Sequence, residues 1–169
     1  IAHVMNSTLR VVSIALLMLM IASVPAIEGN SSGKHNQASA GCTCHSNAGG
    51  VTVGENFPSS YNAGQSYPIT IDVNGGTQAF IGGFSHQIDK GTLGNPSPDV
   101  QIAGMSATHT NSNQRSFTLD WIAPAANSGT VSVDIAVLNG NGNFQNSGDG
   151  WAKTSLTISE IPPLNTPPT

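Results

Sequence analysis

The two cysteines of this chain stand one residue apart, in Gly41-Cys42-Thr43-Cys44-His45. Two thiols followed at once by an imidazole can do three kinds of chemistry. They can hold a haem through thioether bonds, with the histidine on the iron; the common attachment signature is Cys-x-x-Cys-His. They can close a disulfide between Cys42 and Cys44. They can also give three ligands to a metal, with a distant histidine as the fourth. Here one residue separates the cysteines instead of two, which brings the thiols closer by up to ~3.5 Å of extended chain. A double thioether then needs an adjusted loop, or only one thiol is linked. The disulfide would close a very small ring, and loop-closure stabilisation grows with loop length. All three readings stay open at this point.

A haem on His45 calls for a second axial ligand. His109, in Ala107-Thr108-His109-Thr110, ranks first as the iron ligand opposite His45, and Met105 is the alternative, since a thioether is also a haem ligand. His86 has the parity of Phe84 and Ile88 and reads as a core or sheet-face residue. His35 reads as a solvated residue of a lead-in segment. The run from Asn139 to Gly150 alternates oxygen-bearing side chains, but Asp149 is its only charge. A calcium loop supplies several carboxylates, so a turn-rich hairpin loop is the expectation. Trp121 and Trp151 read as core or sheet-edge aromatics.

The elements that must position these residues have a period of two. Tyr67, Ile69, Ile71 and Val73 alternate with polar neighbours, as do Phe117, Leu119 and Trp121, then Val131, Val133, Ile135 and Val137, then Leu156 and Ile158. Shorter candidates lie at 51–53, 80–88 and 100–105. Turn signals separate them, among them Asn74-Gly75-Gly76, Gly94-Asn95-Pro96 and Asn127-Ser128-Gly129. No amphipathic helix of ordinary length follows Ala26. The pattern predicts an all-β, two-sheet sandwich of about seven strands with Greek-key connections, its core containing Phe117, Leu119, Trp121, Val133 and Ile135.

The ends read differently. Residues 1–4 precede Met5, the expected start. Arg10, an apolar run over 11–24 and Val24-Pro25-Ala26 make a secretory signal peptide through residue 26, shorter in its apolar run than a bilayer span needs. Residues 27–40 read as a flexible arm, residues 41–160 as the sandwich domain, and residues 161–169 as a Pro-rich linker. More chain is expected past Thr169, a second domain or an anchor to membrane or cell wall. The sequon at Asn30 suits an exposed N-terminal arm.

The chain carries 5 Lys+Arg against 9 Asp+Glu, a formal charge of -4, with charged residues only 8% of the total. Removing Arg10 with the signal makes it -5 (4 against 9). No basic stripe exists to neutralise phosphates, which argues against nucleic acid as a partner. Neither a nucleophile elbow nor a phosphate loop nor a paired-carboxylate motif points to an enzyme.

The Cys/His element, followed by Tyr61-Asn62-Ala63-Gly64-Gln65-Ser66-Tyr67, Gly82-Gly83-Phe84, Thr108-His109-Thr110, Trp121-Ile122-Ala123-Pro124 and Asn146-Ser147-Gly148-Asp149, resembles the choice-of-anchor V domain family over about residues 41–159. That family is related to the Reeler domain of animal extracellular proteins. The resemblance implies an immunoglobulin-like or Reeler-like sandwich on the cell surface, and a haem-attachment-like motif at Cys42, Cys44 and His45. It departs from the family's Cys-x-x-Cys-His by the missing residue. Two functions follow as expectations: extracytoplasmic electron transfer through a haem c, with an unidentified redox or surface partner, or a cofactor-free surface adhesion module carrying a Cys42–Cys44 disulfide.

Overall fold

A computed structural model describes residues 30–162. The signal peptide expected over 1–26 and most of the Pro-rich stretch lie outside the described residues. Ten strands follow one another: β1 (Val51–Glu55), β2 (Ser60–Tyr61), β3 (Ser66–Gly75), β4 (Gly83–Ile88), β5 (Thr92–Gly94), β6 (Val100–Ala103), β7 (Ser106–His109), β8 (Ser116–Ile122), β9 (Val131–Asn139) and β10 (Gly150–Glu160). They form a four-stranded sheet, β1-β3-β8-β5, and a six-stranded sheet, β2-β10-β9-β4-β7-β6. The protein is an all-β sandwich.

Alternation builds the core. Tyr67, Ile69 and Ile71 of β3 pair in register with Trp121, Leu119 and Phe117 of β8, and the side chains of Ile69, Ile71, Val73, Phe117, Leu119 and Trp121 are all buried. Facing them, Val131, Val133, Ile135 and Val137 of β9 and Phe84 and Ile88 of β4 are buried from the second sheet. Phe84 and Phe117 meet across the gap with ring centroids 4.6 Å apart. Removing each such side chain from water contributes about 1.5–3 kcal/mol, against the entropy of ordering it. The five residues expected to share one core do so.

Three strands beyond the expected seven are short or polar. β2 has two residues and β5 three, too few for periodicity to register. β7 reads Ser-Ala-Thr-His, yet every one of its residues is buried. The cause is the segment expected to be a free arm. Residues 32–39 are laid across the outer face of the six-stranded sheet. Asn36 N–H donates to Ser106 Oγ (3.1 Å), Gln37 N–H to Ser85 Oγ (3.2 Å), and Lys153 Nζ reaches Ser39 O (2.7 Å). Gln101 Nε2 bonds Ser32 O at one edge, and Ala38 is buried beneath the crossing. Within the segment expected to be a flexible arm, Ser32, Asn36, Gln37 and Ser39 are thus bonded to the sheet. Its ties are hydroxyls and amides to backbone, which leave no hydrophobic period in the sequence.

The candidate haem or metal site

The strap ends at the Cys/His turn. Gly41 N–H bonds Gln37 O (2.8 Å), and Gly41 takes φ +83°, the left-handed region open to glycine. A Cβ there would stand 2.6 Å from the Trp151 ring, so glycine also admits that indole. The turn then closes with His45 N–H on Cys42 O at 2.9 Å.

The β9–β10 loop and the start of β10 hold the turn from the far end of the sequence. His45 Nδ1 lies 2.6 Å from Asp149 Oδ2, and Asp149 is buried where the β9–β10 loop runs into β10. The other carboxylate oxygen accepts from Asn141 N–H at 2.8 Å. Trp151 Nε1 donates to His45 O (3.3 Å), Asn146 Nδ2 to Cys44 O (3.0 Å), and Ser46 N–H to Asn146 O (2.8 Å). A carboxylate can only accept, so Nδ1 carries a ring proton, and Nε2 is the nitrogen a neutral ring has left for a metal. This is the arrangement a metal-bound imidazole needs, with the carboxylate fixing tautomer and ring direction.

Cys42 and Cys44 are free thiols in unlike surroundings: Cys42 half-buried, Cys44 exposed. Burial, and secondarily the neighbouring Cys44, push the Cys42 thiol up to about 12. Cys44 is the accessible nucleophile. Cys44, or both cysteines, and the His45 imidazole are thus the groups a thioether-linked haem could use here.

The turn does not assemble the second axial ligand expected from His109. That ring points between the sheets, 6.2 Å from Phe117 and 6.4 Å from Phe84, and its Nδ1 lies 3.0 Å from Phe84 N–H and 3.2 Å from Phe84 O. A Cβ on Gly83 would stand 2.6 Å from His109 Cε1, so the backbone of β4 closes over the ring. Burial lowers its pKa, which the bond to Phe84 O partly opposes. His109 and His45 share no bonding partner. Met105 sits in the β6–β7 turn, 44% exposed, and its carbonyl accepts from Ile88 N–H, at the opposite end of β7 from His109. Neither candidate joins the Cys/His turn, because both were placed by motif order, which carries no register.

A fourth metal ligand is also not at hand. Among the described residues, no group of three or more His, Cys, Asp or Glu is arranged to hold a metal ion. His86 is a core residue as expected, fully buried and stacked on Phe57 at 5.5 Å. His35 is half-buried by the strap, its Nδ1 3.3 Å from Ser106 Oγ. The residue the motif reading missed is Asp149. Its signals in the sequence were being the lone carboxylate in a long neutral loop and closing the Asn146-Ser147-Gly148-Asp149 motif.

No family model matches the chain, and no curated protein matches it. Among solved structures, the chain is similar to a cohesin module from a Clostridium perfringens ATCC13124 family 33 glycoside hydrolase. The two are 11% identical, the match covers 69% of this chain and 100% of that chain, and the TM-score is 0.43.

Proposed function

We propose that this chain is an exported surface module that carries one c-type haem on the Cys42–His45 turn and takes part in electron transfer outside the cytoplasm. The observation that carries the reading is the 2.6 Å contact between His45 Nδ1 and the buried carboxylate of Asp149, which leaves Nε2 free and aimed by two anchors. The resemblance of the Cys/His element to the choice-of-anchor V family supports it. A haem bound there supplies a one-electron couple.

The chain's own residues supply the rest. Cys44, and Cys42 where its thiol is reached, provide the sulfur for attachment. His45 would offer Nε2 to the iron. Asp149 holds the proton on Nδ1, and Trp151 fixes the His45 backbone through its carbonyl. His109 and Met105 do not join this turn and would not ligate the same iron as they stand.

Co-expression with a haem-ligation system tests the reading. The purified protein is expected to keep a haem stain through denaturing electrophoresis, and His45→Ala to change the absorbance bands of the ligated iron. Colourless protein in which mass spectrometry finds Cys42 and Cys44 joined as a disulfide overturns it, leaving the cofactor-free adhesion module. Export has its own check: N-terminal sequencing of secreted material should begin at or near Ile27, and an intact Met5 there would refute the signal peptide.

A further inference from the structure

β10 is 11 residues long, and along the edge that faces away from β9 only its two ends are covered. It pairs with β9 in unbroken register from Gly150 to Ile158. At one end Trp151 N–H bonds Asn47 Oδ1 (3.1 Å). At the other, beside β2, Ser159 N–H bonds Ser59 O (3.1 Å) and Ile161 N–H bonds Tyr61 O (2.8 Å). These donors are alternate residues of one strand, so the N–H and C=O of Lys153, Ser155 and Thr157 point the same way. Among the described residues no strand pairs with those three, and none of their amides has an acceptor.

The gap has its cause in the chain that meets β10 at both ends. Between Asn47 and Ser59 that chain forms β1, which packs beside β10 but pairs with β3 in the other sheet. The two sheets therefore part along this side. Ala152, Thr154, Leu156 and Ile158 pair with Val137, Ile135, Val133 and Val131, so they share the core-facing side of their sheet. Those four valine and isoleucine partners are buried, as are Gly150 and Ile158 towards the ends of β10. Ala152, Thr154 and Leu156 in the middle are only half-buried, and so is Val53 of β1.

We propose that the edge of β10 between Trp151 and Ser159 accepts a short extended segment of another protein as an added strand. The span is roughly 26 Å at ~3.3 Å per residue, room for about six residues of strand. The unpaired N–H and C=O groups call for extended backbone. Alternate side chains of the segment enter beside Val53, Ala152, Thr154 and Leu156, all uncharged, and are therefore apolar; the others lie in water beside Lys153, Ser155 and Thr157. The usual protections of an exposed edge are missing, since the register has no bulge, the stretch has no proline, and Lys153 Nζ is bonded to Ser39 O on the outer face (2.7 Å). A second copy is a poor occupant, because its β10 is longer than the gap and has the same covers at both ends of the same edge. The residues after Glu160 are interrupted by prolines, which cannot donate to a ladder. The proposal stands independently of what the Cys/His turn binds.

Native-state hydrogen exchange of the full chain is the test. In the free protein the amides of Lys153, Ser155 and Thr157 should exchange fast, and those of Thr154 and Leu156, turned to β9, slowly. The probe is a peptide of alternating valine and threonine, three of each, with a lysine at either end. At ten times its Kd it should slow the three edge amides about tenfold, and its fully N-methylated counterpart should leave them fast. Ser155→Pro removes the central donor without touching the β9 ladder and should abolish the protection of Lys153 and Thr157. Thr154→Lys keeps the backbone and puts a charge in the opening, and should do the same if the proline variant does not fold. Edge amides already protected in the free chain overturn the proposal: protection that grows with protein concentration assigns the edge to a second copy, and protection independent of it assigns the edge to other residues of this chain. Edge amides that stay fast at millimolar peptide overturn it as well.

Discussion

Asp149 Oδ2 and His45 Nδ1 meet at 2.6 Å across 104 residues of chain, and the acid is the more deeply buried of the two. The contact fixes which ring nitrogen of His45 is free. In Asp149→Asn, the amide can present its NH2 group to Nδ1, turning that nitrogen into an acceptor and moving the ring proton to Nε2. Nitrogen-15 spectra of His45 should therefore report a change of tautomer, with stability altered by no more than about 1 kcal/mol. Asp149→Ala also strands the Asn141 N–H and should cost about 1–3 kcal/mol in urea unfolding.

His86 makes the fold sensitive to acid. Both ring nitrogens are buried without a partner among the described residues, and the ring is enclosed by Phe57 on one face and by Ile135 and Ala107 on the neighbouring strands. Burial lowers its pKa from 6.5 to about 4. The folded state thus binds this proton less readily than the unfolded chain. The stabilisation is complete above about pH 6.5 and is lost as the pH falls towards 4, about 3 kcal/mol in all. Chemical denaturation at pH 7, 5.5 and 4 should show the decline. His86→Phe should flatten it and raise stability at neutral pH, because an unsatisfied polar ring is replaced by an apolar one. An unchanged slope in that variant would place the acid sensitivity elsewhere.

Asn139 closes the end of the sandwich at which the β3–β4 and β9–β10 loops meet. Its side chain makes four bonds to the backbone of residues 77–81 and is buried. Asn139→Ala should cost about 2–4 kcal/mol, since several buried backbone groups lose their partner at once. Asn139→Asp keeps the acceptor and loses the two donated bonds. It should fall between wild type and alanine, and hydrogen exchange of Thr77 and Gln78 should rise in the same order.

The sandwich was legible because burial on one face imposes a period of two, and a one-residue slip would turn Phe117, Leu119 and Trp121 into water. β7 was not legible: Ser106 and Thr108 are buried on the outer face by the strap, so their polarity advertised a surface that does not exist. The strap was missed for the same reason, being bonded through backbone and small hydroxyls. The Cys/His turn could be read, because a cluster of adjacent residues is local. Its partner Asp149 and the exclusion of His109 from it depend on sheet register across distant strands.

The strap also orders events in time. Cys42, Cys44 and His45 are among the first residues of the domain to emerge, and the groups that seat them, on the β9–β10 loop and β10, are the last. Closing so distant a contact is slow relative to local pairing. Without β10 the turn lacks the contacts from Asp149 and Trp151 that seat it. Once it docks, Cys42 is withdrawn and its thiolate suppressed. Covalent chemistry at Cys42 should therefore be easier before the final strand docks than after it.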